Sequence, residues 1–488
     1  MLNNLYLKDD NTYILNLDAA LNFPEILDID HSTPICKKLI IPIALYNQKL
    51  RVWETDDDDR GAIAIELSQY LIKITDNSTV VGVGEEFFFE FTYPDSGAKI
   101  ILDPRNHDGS SSSNTVHTIA CAKVWDATII TSQPSMITDA KLARAKAYFL
   151  SPSIYTGYRV VDLPLEYEQL WIKSTSVDIS DWECFANSPL LPNEFVEFRF
   201  PTEAVKDFKN VGMYNPESGT LDHLKYFNSS RVPMNIEPKN ARQAMAFEAT
   251  YAPIERGLTA CIFYGAAGCG KTFIPLVGAI AQSGIDYTAY VPEEKKNQKY
   301  PASSMRRREN AIYDQIWACP PDRMMGDKLG AVPGDRWAKL RDNLDGYYHN
   351  IQAFLTAQRN KKEGGEQMTS FDIVRQAESI MKNINITSAG QLNGDSFTNT
   401  VFLLDEAEFF KEYQIRTATE RINTGSRIFI CGDPTQIRNA YGWYGNPLAR
   451  FIRRVAGDKN VVILKFDGDL TQRDGAKIIY RSYHKAPI

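Results

Sequence analysis

The chain has 488 residues, 43% hydrophobic and 24% charged, with 54 Lys and Arg against 61 Asp and Glu for a net charge of −7. That is globular composition with room for two or three domains. It excludes a histone-like polycation, though not a local basic groove. No apolar run approaches the length of a membrane span, so no membrane partner is expected.

The N-terminal MLNNLYLKDDNTY lacks a basic stretch followed by an apolar one, so no secretory leader is expected. Seven scattered cysteines form no CxxC pair. That argues against a zinc site or disulfide framework and for reduced thiols in the cytoplasm.

In chain order, Leu39–Leu45 (LIIPIAL) and Thr128–Thr131 (TIIT) read as buried strands, and Asp139–Tyr148 (DAKLARAKAY) reads as a helix. Asp56–Asp59 and Ser110–Ser113 read as solvated loops. Strands alternating with helices predict an α/β unit with a mostly parallel sheet. From Asn187 to Ser230, frequent Pro, Asn, Gly and Ser suggest a connecting region with a few strands. The alternation resumes at about Val232, with strands at Leu258–Tyr264, Thr400–Leu404 and Arg427–Cys431 and a surface loop at Lys361–Glu366.

The run Gly265, Ala266, Ala267, Gly268, Cys269, Gly270, Lys271, Thr272 fits G-x-x-x-x-G-K-[ST]. It lies between an apolar strand and an apolar helix, the order a phosphate-binding loop requires. Successive N–H groups at a helix start point at phosphates, and glycine lets the backbone approach them. Lys271 would neutralise the β- and γ-phosphates of ATP, and the Thr272 hydroxyl would ligate Mg²⁺. The bland alternative is a Gly-rich turn before a helix. Pro275 removes a donor near the helix start and is expected to tighten or bend it.

Thr400–Phe410 (TVFLLDEAEFF) is an apolar strand ending in Asp405-Glu406. Asp405 can hold Mg²⁺ through water, and Glu406 can polarise the attacking water. A helix cap is the structural alternative. The next strand leads into Gly432-Asp433-Pro434-Thr435-Gln436. Asp405 and Asp433 are 28 residues apart, enough for one helix and a return to the neighbouring parallel strand. Asp433 and Gln436 could then touch the γ-phosphate, where the alternative is a simple Gly-Asp-Pro turn. The pattern GKT…DEA…GDPxQ resembles superfamily-one helicase-like ATPases rather than kinases.

Three further segments narrow the field: Ile236–Ala246 (IEPKNARQAMA), Gly326–Asp335 (GDKLGAVPGD) and GDPTQIRNAYGWYGNPLARFI. Together they resemble PhoH-family ATPases from about Asn235 to the C-terminus. The resemblance implies that Gln243 reads the adenine edge with Asn240 in support. It also implies a homo-oligomeric ring, with a hexamer favoured, in which a neighbour donates an arginine to the γ-phosphate. Arg473 falls about where the family has one, and Arg453 and Arg454 are rivals. Where the family has DEAQ, this chain has Glu408, which adds a charge in place of an amide. Residues Glu293–Gln315, with Arg306-Arg307-Arg308, look like an insertion. The triplet, Arg336, Trp337, Tyr441 and Trp443 are candidates for gripping nucleic acid, or else ordinary loop anchors.

The N-terminal half resembles the PIN module that accompanies such ATPases, through Tyr13–Leu21, Leu39–Gln48, Asp126–Ile137, Tyr155–Asp162 and Pro192–Val196. PIN domains are metal-dependent nucleases. The family's acids fall here on Asn16, on Asn47 or Gln48, near Asn114 or Thr115, and on Gln133. Amides cannot balance a divalent cation's charge, so a PIN-like fold without nuclease activity is expected. Asp18, Asp108 and Asp126 lie close enough that a shift of register would restore part of a site.

The resulting expectation is an α/β chain with a degenerate PIN-like domain (1–160), a connector with some strands (161–232) and a RecA-like P-loop ATPase domain with a parallel sheet (233–488). ATP hydrolysis with Mg²⁺ would remodel or unwind nucleic acid, with single-stranded RNA favoured over DNA as partner. The alternatives are an active PIN ribonuclease coupled to the ATPase, and a nucleotide-dependent assembly protein without translocation. A neutralised nuclease half would suit a phage protein acting in the host cytoplasm.

Overall fold

The computed structural model describes residues 11–30, 34–54, 59–84, 86–107, 113–150, 154–186, 188–201, 208–226, 236–285, 311–321, 336–361, 369–392, 396–436 and 446–468. Two compact units emerge, residues 1–154 with 438–450, and residues 155–437 with 451–488.

The first unit is built on β1 (Thr12–Leu15), β2 (Lys38–Pro42), β3 (Thr79–Val83), β4 (Glu86–Thr92), β5 (Lys99–Asp103), β6 (Thr128–Thr131) and β7 (Ala147–Phe149). The sheet order is β3-β4-β5-β2-β1-β6-β7. From β5 to β7 every pairing is parallel, and the β3–β4 hairpin adds an antiparallel edge. The central residues of β1, β2, β5 and β6 are apolar and buried because both faces of the sheet are covered there. Leu39 and Ile41 enter one core with Tyr13, Leu15 and Leu102, while Ile40 enters another with Ile14, Ile101 and Ile129. Each fully buried aliphatic side chain stabilises by roughly 1.5–3 kcal/mol.

Two local expectations are corrected here. The strand expected over Leu39–Leu45 stops at Pro42, and Ile43–Trp53 is a helix. Pro42 lacks the N–H needed to extend a ladder and suits a helix start. The helix expected over Asp139–Tyr148 is Pro134–Leu142, followed by β7. Arg144 adopts φ 59°, and the Ala145 N–H bonds back to the Ala140 carbonyl at 2.8 Å, the left-handed closure that ends a helix.

The second unit holds two sheets. The expected connector forms β8 (Tyr158–Asp162), β9 (Ser176–Asp178), β10 (Phe195–Arg199), β11 (Val211–Asn215) and β12 (Thr220–His223), in the order β8-β10-β11-β12-β9. Its own core includes Trp171, Trp182, Phe185, Phe198 and Leu221. The larger sheet contains β13 (Ala260–Gly265), β14 (Gln315–Cys319), β15 (Ile384–Ile386), β16 (Thr400–Leu404), β17 (Arg427–Gly432) and β18 (Val461–Phe466). Its order is β15-β14-β16-β17-β13-β18, and all pairings are parallel. β17 lies between the strand before the phosphate loop and the acidic strand, so both present their C-terminal ends to one edge, where open parallel sheets bind ligands. Among the described residues no helix is long and apolar enough to cross a membrane.

Candidate nucleotide site

The loop from Gly265 to Thr272 leaves β13 and enters the helix Phe273–Gln282. Gly265 has φ +130°, and an added Cβ would lie 2.1 Å from the Phe466 carbonyl oxygen. Gly270 has φ +101°. At both positions glycine is what lets the loop curl. Pro275 is the third residue of the helix, within the first turn, where N–H groups have no required intrahelical partner. The expected bend therefore sacrifices no helix hydrogen bond.

Lys271 is 7% exposed, and its ammonium donates to the Ala266 carbonyl at 3.4 Å. It forms no ion pair among the described residues, so no carboxylate holds it away from a ligand. The Thr272 hydroxyl donates to Asp405 Oδ1 at 2.8 Å, joining residues 133 apart in the chain. Burial and the adjacent Glu406 charge push the Asp405 pKa up to about 6, against the pull of Thr272 and Lys271. A hydroxyl and a buried, electrostatically unsatisfied carboxylate in direct contact are hard oxygen donors that fit Mg²⁺. Glu406 sits in the left-handed region, φ 50° and ψ 48°, a strained backbone of the kind that clusters at functional sites.

Glu408 is 2% exposed, and its Oε2 accepts the Asp433 N–H at 2.9 Å. Burial and the Glu406 charge push its carboxyl strongly upward. That shift favours the uncharged acid, whose O–H can donate as an amide N–H would, over the added charge that the sequence suggests. Asp433 turns inward: its Oδ1 accepts from Thr435 N at 3.0 Å and Thr435 Oγ1 at 2.6 Å, and its Oδ2 from Gln436 Nε2 at 3.2 Å. It fastens its own turn, while Gln436 stands exposed beside it.

Asn240 caps the helix Ala241–Tyr251, accepting the Gln243 N–H at 3.0 Å. Gln243 is 8% exposed and braces the loop, donating to the Cys269 carbonyl at 3.1 Å and accepting from Lys239 N at 2.9 Å. The structure thus gives Gln243 bonds within the protein in place of the open amide that base reading expects. Arg473, Asp108, Arg306–Arg308, Gly326–Asp335, Tyr441, Trp443 and the Lys361–Glu366 loop beyond Lys361 lie outside the described residues. Arg454 pairs with Glu412 at 2.9 Å. Within the expected insertion, Gln315 is the first residue of β14.

Sequence reasoning missed the Arg242 cluster. Arg242, 6% exposed, pairs with Glu197 on β10 at 2.9 Å and with Asp467 at 3.4 Å, and lies 3.3 Å from the centre of the Tyr158 ring. The Tyr158 hydroxyl donates to Asp467 at 2.6 Å, and Cys269 Sγ reaches the Asp467 carbonyl at 3.5 Å. This cluster ties the five-stranded sheet to the phosphate loop. The local signal was weak, a charged residue on a helix that also carries Gln243, Glu248 and Thr250. All seven cysteines are free thiols.

The first unit carries its own polar network where β1 and β6 end. Asn16, 1% exposed, accepts from Asn114 Nδ2 at 2.9 Å and Thr118 Oγ1 at 3.0 Å. The Asp18 carboxylate accepts from Ser132 N at 2.6 Å, Ser132 Oγ at 2.8 Å, Thr131 Oγ1 at 2.9 Å and the Asn16 amide. Burial raises the Asp18 pKa above its ordinary value even though these donors pull against it. Asn47, Gln48 and Gln133 are exposed. Asp126 precedes β6, at the strand end opposite Ser132, so a register shift onto Asp126 is excluded. Elsewhere in the unit, Asp103, His107 and Cys121 bring possible ligand atoms within 4.8 Å of one another. Asp103 already accepts two 2.8 Å bonds from the Arg105 guanidinium, together with His107 and Trp125, so this is an ion-pair cluster.

The strand order, the loop and the acidic strand end define a P-loop ATPase fold. Residues 303–483 match the family model described as PhoH-like protein. The chain is 22% identical over 305 residues to Protein PhoH2 of Bacillus subtilis (strain 168), covering 62% of this chain and 59% of that one. It is 23% identical over 201 residues to a PhoH-like protein of Synechocystis, covering 41% and 48%. The C-terminal part of the chain is thus similar to PhoH-like proteins. It spans about half to three-fifths of the length of these curated relatives. The family match begins after GAAGCGKT, so that loop is supported by its own motif and geometry.

Proposed function

We propose that this chain hydrolyses ATP with Mg²⁺ and uses the cycle to remodel or unwind nucleic acid, single-stranded RNA in preference to DNA. The observation that carries the reading is the 2.8 Å bond from Thr272 to Asp405, which brings the phosphate loop and the acidic strand into one site. Thr272 and Asp405 would hold Mg²⁺, which when bound neutralises charge on the phosphate oxygens. Lys271 neutralises the β- and γ-phosphates. Glu406 orients and polarises the attacking water, and Gln436 with the Asp433 turn follows the γ-phosphate. A contact from Gln243 to adenine would use the hydrogen and lone pair left over from its bonds to Cys269 and Lys239. Arg473 from a neighbouring subunit would complete the site in a ring, and Arg473→Ala would then lower turnover per subunit.

The first unit is proposed to be PIN-like and without nuclease activity. Among the described residues, β1 and β6 end in a network of amides and hydroxyls where Asp18 accepts from several donors, and Asp103 at the end of β5 is held by Arg105. Its role would be to bind or position nucleic acid or to hold the assembly together. The test is the ATPase rate with and without single-stranded RNA and DNA at two salt concentrations. Stimulation by RNA that weakens with salt supports the reading. Turnover indifferent to both polymers points instead to a nucleotide-dependent assembly protein. Metal-dependent RNA cleavage abolished by Asp18→Asn would overturn the inactive first unit.

A further inference from the structure

We infer that Arg242 and Asp467 are positioning residues for the phosphate loop, an ion pair that holds the loop in its nucleotide-ready curl and makes nucleotide affinity depend on the five-stranded sheet. The contacts close on themselves. Arg242 Nε lies 3.4 Å from Asp467 Oδ2. The Asp467 carbonyl accepts from the Cys269 thiol at 3.5 Å, and the Cys269 carbonyl accepts from Gln243 Nε2 at 3.1 Å. Gln243 is the residue after Arg242 on the helix Ala241–Tyr251. Cys269, the fifth residue of the loop, is thereby held from two sides, its carbonyl by that helix and its thiol by the chain leaving β18. The residue before Asp467, Phe466, pairs with Gly265 at the start of the loop, where its carbonyl leaves no room for a side chain.

What holds Asp467 in turn comes from the five-stranded sheet. Tyr158 on β8 donates to the same Oδ2 at 2.6 Å, and its ring centre lies 3.3 Å from the Arg242 guanidinium. Glu197 on β10 accepts from Arg242 Nη1 at 2.9 Å. Arg242 is buried. Desolvating such a group offsets most of its attraction to a carboxylate, so apolar side chains of similar volume would stabilise the fold as well. Apolar side chains could not fix one carboxylate oxygen between two donors. Asp467 carries both ends of the device: its carboxylate is anchored to helix and sheet, and its carbonyl to the loop. The ion pair of Arg159 with Glu194, at 2.7 and 2.8 Å, lies in the same sheet, and the other bonds of Arg159 run to Ser188 and Pro189. Phosphates are gripped by loop N–H groups, whose directions depend on the curl. Arg242 and Asp467 therefore act through the loop and not on the nucleotide. Both assignments rest on the nucleotide reading of that loop.

The experiment compares Asp467→Asn, Arg242→Gln and the double variant with wild type, and uses Glu194→Gln as control for an ion pair lost elsewhere in the sheet. It measures melting temperature, affinity for adenosine, ADP and a fluorescent non-hydrolysable ATP analogue in EDTA and in magnesium, and kcat and KM for ATP. Each single variant is expected to weaken ADP and the analogue about tenfold in both conditions, the size of one hydrogen bond between charged groups, with adenosine unchanged. KM for ATP should rise about tenfold with kcat within about twofold, as when binding is lost equally from ground and transition states. The double variant should lose no more than either single one, because the pair acts as a unit. Glu194→Gln should move no nucleotide constant. If Asp467→Asn matches Glu194→Gln in its affinity for ADP and the analogue, or if the single losses multiply in the double variant, the inference is overturned. Should Arg242→Gln fail to fold, Asp467→Asn against Glu194→Gln decides alone. If wild type binds ADP and the analogue tightly yet turns over no ATP, hydrolysis is refuted, while the affinities still decide the pair. If wild type binds them no better than adenosine, the nucleotide reading falls and the positioning role with it.

Discussion

Two half-buried carboxylates at parallel strand ends differ in the donors around them. Asp18 in the first unit accepts from Ser132, Thr131 and Asn16, so neutral donors satisfy it. Asp405 in the second unit has Thr272 as its side-chain donor and Glu406 as a like-charged neighbour, and its pKa rises to about 6. Burial raises both carboxyls, but several donors pull against it at Asp18, whereas Asp405 has fewer donors and a second acid beside it, and a cation would stabilise it. The difference lies in the flanking side chains, since both sheets place an acid at a ligand-binding edge.

The sharpest way to break this comparison is to remove the groups that would serve a nucleotide. Lys271→Ala and Glu406→Gln should each lower ATP turnover by about a hundredfold or more, the scale of losing one preorganised charge or donor. In a steady-state phosphate-release assay, near-wild-type turnover by either variant would remove the catalytic assignment.

Asp405→Asn should do two opposite things. It should abolish the magnesium-dependent part of nucleotide affinity and raise the stability of the metal-free protein. The folded pKa of about 6 lies above the ordinary carboxylate value of 3.8. The contribution of this group is therefore complete below about pH 4 and is lost as pH rises through 6, amounting to about 3 kcal/mol by pH 8. Asparagine does not ionise and escapes that loss. Denaturant unfolding in EDTA at pH 5 and pH 8 measures it, and a variant no more stable than wild type at pH 8 contradicts the account.

Asp18→Asn should lose more than it gains, although burial raises this carboxyl as well. Replacing an acceptor-only carboxylate with an amide sets an N–H₂ group against Ser132 or Thr131 and should destabilise the first unit by about 2 to 3 kcal/mol, with ATP turnover unchanged. Urea unfolding monitored alongside the ATPase assay separates the two effects.

The smallest effect is expected at Asp103. Burial favours its neutral form, but hydrogen bonds from Arg105, His107 and Trp125 outweigh that and lower its pKa to about 2. Its contribution, about 2 kcal/mol, is present above about pH 4 and is lost as pH falls toward 2. Asp103→Asn should flatten that part of an acid-unfolding curve, and an unchanged curve would show the cluster to be inert.

Much of this was legible in one dimension. The phosphate loop, the acidic strand over Thr400–Leu404 and the following strand to Gly432 are local patterns whose apolar runs could only be buried strands. The five-stranded sheet was legible only as scattered strands, because the Pro and Asn turns between β10, β11 and β12 masked their alternation and its aromatic core is assembled from distant residues. The true end of the helix Pro134–Leu142 depended on the backbone conformation of Arg144, which composition does not encode.

The amino-acid order alone determined that a nucleotide loop, an acidic strand end and a sheet to carry them exist, because each is set by neighbours within a dozen residues. Only the folded chain decided which charged groups are satisfied. Glu408 is buried against the Asp433 N–H, and Arg242 bridges Glu197 and Asp467. Each depends on burial and on partners far away in the chain, and desolvation acts on neighbours in space.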